Sequence, residues 1–214
     1  GVAIGDEVCL RDAEALAEPS TLAVVTGQQA VLFGGPLYVL YKALAAMELA
    51  RVMSESLKTR VVPVFWVASD DHDFAEIRAT TMLDSRAELR SFRYEPVDEP
   101  NLKPASAIVF DETIRTLSQS VREAMGASPW RDDVCDAVTA AYRPGVSMSE
   151  AFTALLQRFL PGLVIMDPAS PALKGLMRPV IEREVAELSP TSRLAAEVGE
   201  KLLSAGYHQQ VPVR

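Results

Sequence analysis

The chain has 214 residues, 49% of them hydrophobic and 23% charged, with a formal net charge of -8. That length and composition suffice for a globular domain with its own core, while the acidic balance weighs against sequence-independent binding to nucleic acid or anionic membranes, which needs clustered Lys and Arg. Only two cysteines are present, Cys9 and Cys135, far apart and in no C-x-x-C pair, which suggests neither a disulfide framework nor a zinc site.

From the beginning of the chain, residues 1–12 carry acidic groups and lack the basic segment and apolar run of a secretory signal. No initiator methionine is present, so the chain is expected to start inside a longer gene, and reduced thiols point to the cytoplasm. A short helix at 12–16 yields at Pro19 to a buried strand at 21–25. A loop over 26–35, rich in glycine and amide side chains, leads to Pro36, placed as the first residue of a helix that runs to about 57. The apolar run 61–68 has the length and the β-branched and aromatic content of a central strand. Strand, crossover helix and strand make a βαβ unit, so the expected fold is α/β with a Rossmann-like parallel sheet. Pro63 cannot donate to a ladder but is tolerable near a strand's start. Phe65 and Trp66 alternate faces of that strand and read as core rather than as a stacking platform.

Residues 90–145 read as an insertion of mixed helical and β character. Strands are expected at 89–94 and 106–110, and helices at 112–125 and 132–142. A helix at 148–159 then precedes a third core strand at 163–166 that ends at Asp167. Helices at 171–188 and 191–204 follow, with Gly206 as C-cap. The longest apolar runs fall far short of the roughly 20 residues of a membrane helix.

In open α/β sheets, ligands bind outside the carboxyl ends of the strands. Three such ends carry polar groups: Thr26, Gly27, Gln28 and Gln29; then Ser69, Asp70, Asp71, His72 and Asp73; then Asp167. Gly27, Gly34 and Gly35 flank the two glutamines ahead of a helix N-terminus, where unpaired N–H groups favour a phosphate or carboxylate. Plain turn chemistry explains the same glycines, for the spacing is neither G-x-G-x-x-G nor a P-loop. Lys42, in the second turn of that helix, can reach an anion held there or simply be solvated. Asp70, Asp71, Asp73 and Glu76 surround His72, one of two histidines. Such a group suits proton transfer, anion holding or metal ligation, or else is an acidic turn that caps a helix starting near Phe74. No second histidine or cysteine lies nearby, so no metal site is assigned. His208, near the chain end beside Tyr207, carries no reading by itself.

Taken in order, Val25-Thr26-Gly27-Gln28-Gln29, Leu32-Phe33-Gly34-Gly35-Pro36-Leu37-Tyr38, Tyr41-Lys42, residues 62–68 and Asp71-His72-Asp73-Phe74 with Glu76 resemble the BshC family, the cysteine-adding enzymes of bacillithiol biosynthesis. Weaker similarity continues through Ala151-Phe152, Gly162-Leu163-Val164, Asp167-Pro168 and Gly206-Tyr207. The resemblance implies a Rossmann-like core related to nucleotidyltransferases, and a coiled-coil arm, absent from this chain, that makes the full protein a homodimer. It implies a ligase that joins the carboxyl group of cysteine to the amine of glucosaminyl malate, with ATP or ADP as cofactor by analogy. On that reading Asp71, His72 and Asp73 are catalytic, and Thr26, Gly27, Gln28, Gln29, Gly34, Gly35, Lys42, Asp70 and Glu76 bind substrate. Two departures stand out. Asp70 occupies a position usually held by Glu, and the His-x-Gly-His signature of the related synthetases is missing. A metal-dependent hydrolase centred on Asp71, His72 and Asp73, and a non-catalytic nucleotide- or sugar-binding module, are the alternatives.

Overall fold

The computed structural model describes residues 7–98, 102–209 and 211. The chain divides into two compact units, Gly1–Ser170 and Pro171–Arg214. In the first unit the order is α1 (Glu7–Ala15), β1 (Leu22–Gln28), α2 (Tyr38–Leu57), β2 (Val61–Val67) and a single turn α3 (Phe74–Ile77). The hairpin β3 (Ala79–Leu83) and β4 (Leu89–Arg93) follows, then α4 (Thr113–Ala124), α5 (Arg131–Ala141), α6 (Met148–Phe159) and β5 (Val164–Met166).

Parallel pairing joins the three main strands in the order β1-β2-β5, with Leu22 opposite Val61, Gln28 opposite Val67 and Val64 opposite Val164. The central strand is apolar because one face is covered along its length and the other as far as Val64. Phe65 and Val67 face a core completed by Val39 and Ala43 of α2 and by Phe152 of α6, whose ring lies 6.1 Å from that of Phe65. Val62 and Val64 turn to the other face, where Cys9 and Ala13 of α1 meet Val164. Alanines at 43, 46 and 50 are buried along α2, and their small side chains let the helix lie close to the sheet. Pro63 precedes the ladder with β5, which begins at Val64.

Thr26, Gly27 and Gln28 belong to β1 rather than to the expected loop, because β2 runs on to Val67 and offers each of them a partner. Gly27 permits this pairing. A Cβ there would stand 2.5 Å from the Trp66 carbonyl oxygen. Beyond Gln29 the chain makes a 3-10 turn at Leu32–Gly34, and through it and into Gly35 φ is positive at three successive residues, Phe33 (54°), Gly34 (86°) and Gly35 (73°). Glycine takes that region freely, whereas a residue such as Phe33 pays about 1–2 kcal/mol for it. Helix α2 starts at Tyr38, two residues later than Pro36.

The insertion also departs from expectation in two places. The strand expected at 89–94 is β4, but its partner β3 was not foreseen, and the two pair antiparallel from Ala79 opposite Arg93 to Leu83 opposite Leu89. No strand forms at 106–110. Residues Ala105–Ala107 make a 3-10 turn, and Val109 makes a single bridge to Ser147. Pairing stops there because Ser147 already starts α6, with its side chain and that of Glu150 closing a reciprocal capping box. Helices α4, α5 and α6 fall where the apolar periodicity puts them, within two residues.

The second unit consists of α7 (Pro171–Ala186) and α8 (Pro190–Ser204). The Thr191 hydroxyl donates to Glu184 at 2.8 Å across the joint. Past α8, the left-handed Gly206 lets the Tyr207 N–H return to the Leu202 carbonyl, the C-terminal geometry expected of glycine. No helix among the described residues is long and apolar enough to cross a membrane.

Candidate functional site

Parallel pairing brings the carboxyl ends of β1, β2 and β5 to one end of the sheet. Two loops leave it there and meet. The Gln29 side-chain amide donates to the Asp71 carboxylate at 2.6 Å and to the Glu76 carboxylate at 3.0 Å, joining the loop after β1 to the loop after β2. Backbone bonds keep the second loop in place: the Ala68 N–H reaches the Gln28 carbonyl at 2.9 Å, the Ala105 N–H reaches that of Asp71 at 2.9 Å, and the Ser106 N–H reaches that of Ser69 at 3.1 Å. The segment expected as a strand thus serves as a buttress for the acidic loop.

Within that loop Asp71 is half-buried, while Asp70, His72, Asp73 and Glu76 are exposed. The Gln29 amide, with the Asp73 backbone N–H second, holds the Asp71 carboxyl below the ordinary carboxylate range. Asp71 is therefore an anion at neutral pH and a weak base. Asp73 also does ordinary structural work, since its side chain accepts the Glu76 N–H as the N-cap of α3.

Lys42 donates to the Gly27 carbonyl at 2.9 Å and to the Gln28 side-chain oxygen at 3.0 Å, which puts its ammonium beside the end of β1. The two glycines of the following turn are engaged within it. The Gly34 N–H is shared by the Val31 carbonyl and the Tyr142 hydroxyl, both at 3.1 Å, and the Gly35 N–H reaches the Leu32 carbonyl at 3.1 Å. Thr26 and Gly27 lie in β1 itself, just before the glutamines.

Two residues that had no assigned role join this end of the sheet. The buried Ser69 donates its hydroxyl to Asp167, tying the loop after β2 to the end of β5, and Asp167 also accepts the Ala169 N–H at 2.9 Å. The sequence signal was the position of Asp167 at a strand's end; nothing local marked Ser69. Trp66, expected in the core, is 39% exposed on the sheet face away from Phe65. Among the described residues, no three His, Cys, Asp or Glu side chains are grouped so as to hold a metal ion.

A family model described as bacillithiol biosynthesis BshC, N-terminal Rossmann-like domain, matches residues 2–214. Among curated relatives, a BshC protein of Salinibacter ruber, named as a cysteine ligase, is 35% identical over 208 residues, covering 96% of this chain and 38% of its own length. Proteins of the same name from Koribacter versatilis and Solibacter usitatus are each 38% identical, over 89% and 92% of this chain and 35% and 37% of their own lengths. The chain therefore spans little more than a third of the length of these relatives.

Proposed function

This chain belongs to the BshC family, and from that membership we propose that it forms the N-terminal part of a cysteine ligase of bacillithiol biosynthesis that joins L-cysteine to glucosaminyl malate. The observation that carries the reading is the Gln29 amide held between Asp71 and Glu76. It makes one polar site of the ends of β1 and β2, where α/β sheets bind ligands.

Forming the amide requires the neutral amine nitrogen to attack the cysteine carboxyl carbon and to lose a proton, while the C–O bond to one carboxyl oxygen breaks and that oxygen leaves as water, or on the activating group if the carboxyl were first activated. Asp71, kept ionised by its partners, holds and orients the incoming amine rather than removing its proton. His72, adjacent and exposed, takes that proton as the nitrogen attacks. Asp73 holds the loop through its cap and, with Asp70 and Glu76, keeps the local field favourable to the positive charge that develops on the nitrogen as it attacks. Lys42, fixed to the end of β1, faces the carboxyl group of a substrate bound over Thr26, Gly27, Gln28 and Gln29.

Rossmann-like sheets are common nucleotide scaffolds, and ATP or ADP is the cofactor implied by family analogy. The N–H groups of Gly34 and Gly35 are bonded within their turn, so they offer no free cradle for a phosphate, and no step is assigned to a nucleotide. The test is incubation of the full-length protein with cysteine and glucosaminyl malate, with and without ATP, followed by mass spectrometry. A cysteinyl product is expected. No product under either condition overturns the reading. Assembly as a homodimer belongs to the same proposal, and gel filtration of the full-length protein checks it.

A further inference from the structure

The turn that follows Gln29 is bonded to a residue far along the chain. Phe33, Gly34 and Gly35 have positive φ in succession, and at Phe33, which is not a glycine, that conformation persists only where the surroundings impose it. The group packed against it is Tyr142, the residue that follows α5 as its C-cap. Its ring is buried, 4.9 Å from the Phe33 ring in an edge-on arrangement and 5.5 Å from the Phe110 ring. Its hydroxyl accepts the Gly34 N–H at 3.1 Å and donates toward the Val31 carbonyl at 3.4 Å. Val31 in turn donates its N–H to the Gln29 carbonyl at 2.9 Å. Two hydrogen-bonded steps therefore separate the Tyr142 hydroxyl from the residue that bridges Asp71 and Glu76.

We propose that Tyr142 is a positioning residue for the candidate site, fixing through the 31–35 turn the orientation in which Gln29 joins the two loops; the inference rests on the reading that these loops form the site. A buried tyrosine hydroxyl must be satisfied wherever it lies, so what sets Tyr142 apart is which backbone it bonds. Here the hydroxyl is satisfied on both sides by the backbone of one turn. Burial pushes its pKa far up, so it remains a neutral donor and acceptor at any working pH. On this account the insertion acts on the sheet's functional end as well as covering the core, since its helix α5 delivers the clamp.

The test is Tyr142→Phe in the full-length protein, which keeps both ring contacts and removes only the oxygen. The first readout needs no substrate. The Gln29 side-chain amide resonance, assigned by its loss in Gln29→Leu, is displaced by two carboxylate acceptors and should move toward the ordinary glutamine position. Amide exchange at Gly34 should rise at least tenfold, while exchange in β3 and β4 stays unchanged. In the product assay, turnover should fall about tenfold with KM within a factor of two. An unmoved Gln29 resonance overturns the proposal whatever turnover does, and so does wild-type turnover accompanied by a moved resonance. Absence of product from the unaltered protein would remove the ligase reading, and the resonance would then decide the proposal alone. If Tyr142→Phe does not fold, the unaltered protein decides it: a Gly34 amide exchanging as fast as an open loop amide overturns the clamp, and a protected one supports it.

Discussion

His72 and Gln29, on the two loops that meet at one end of the sheet, separate two kinds of contribution. The His72 side chain is exposed, so His72→Asn should cut product formation by about 10²-fold or more while leaving the melting temperature almost unchanged; activity lost together with stability would assign it a structural role. Gln29 contributes to stability through Asp71, and the sign of its pH dependence follows from the lowered pKa. A carboxyl whose folded pKa lies below its unfolded value stabilises the fold above the ordinary carboxylate range, near 3.9, and loses that contribution as pH falls through the folded value. Thermal melts of wild type and Gln29→Leu should therefore be separated at pH 7 and converge in strong acid. A separation that persisted unchanged to pH 2 would mean that the bond to Asp71 contributes nothing.

At the scale of elements, apolar runs and turn residues made β2, α2, α4, α5, α6 and the parallel sheet legible, because each depends on its own local pattern. The extension of β1 through Gln28 was not legible, since it depends on how far β2 offers a partner. The hairpin partner β3 was missed for a related reason: Ala79-Thr80-Thr81-Met82-Leu83 becomes a strand only against β4. In the candidate site the two loops could be placed at one sheet end from strand order alone, but the Gln29 bridge, Ser69 and Tyr142 are long-range contacts with no local signal. Element contacts suggest two stability tests. Gly27→Ala drives a Cβ into the Trp66 carbonyl, and denaturant melts should show a loss of about 1–3 kcal/mol, the usual cost of forced overpacking. Ser147→Ala removes half of the capping box of α6 and should cost about 1 kcal/mol; equal stability in either variant would contradict the geometry described for it.

Across the whole molecule, β1 is an edge of the sheet as described, and Val25, Leu37 and Tyr41 are 59%, 61% and 62% exposed around it. Apolar surface of that kind beside an open strand edge favours association. The 214-residue chain expressed alone should therefore form larger species as its concentration rises, and Leu37→Lys with Tyr41→Lys should suppress them in light scattering; a monodisperse monomer throughout would show the surface to be harmless. The contact between Tyr142 and Gly34 spans 108 residues, and this separation sets when the turn after Gln29 can reach its final form. During synthesis β1, α2 and β2 are all complete before Tyr142 leaves the ribosome, and closing so long a loop carries an entropic cost that local turns escape. The turn that follows Gln29 must then wait, without its Tyr142 bond, until the insertion has folded back on it. The oldest part of the sheet to emerge thus carries one of the last parts of the first unit to reach its final shape.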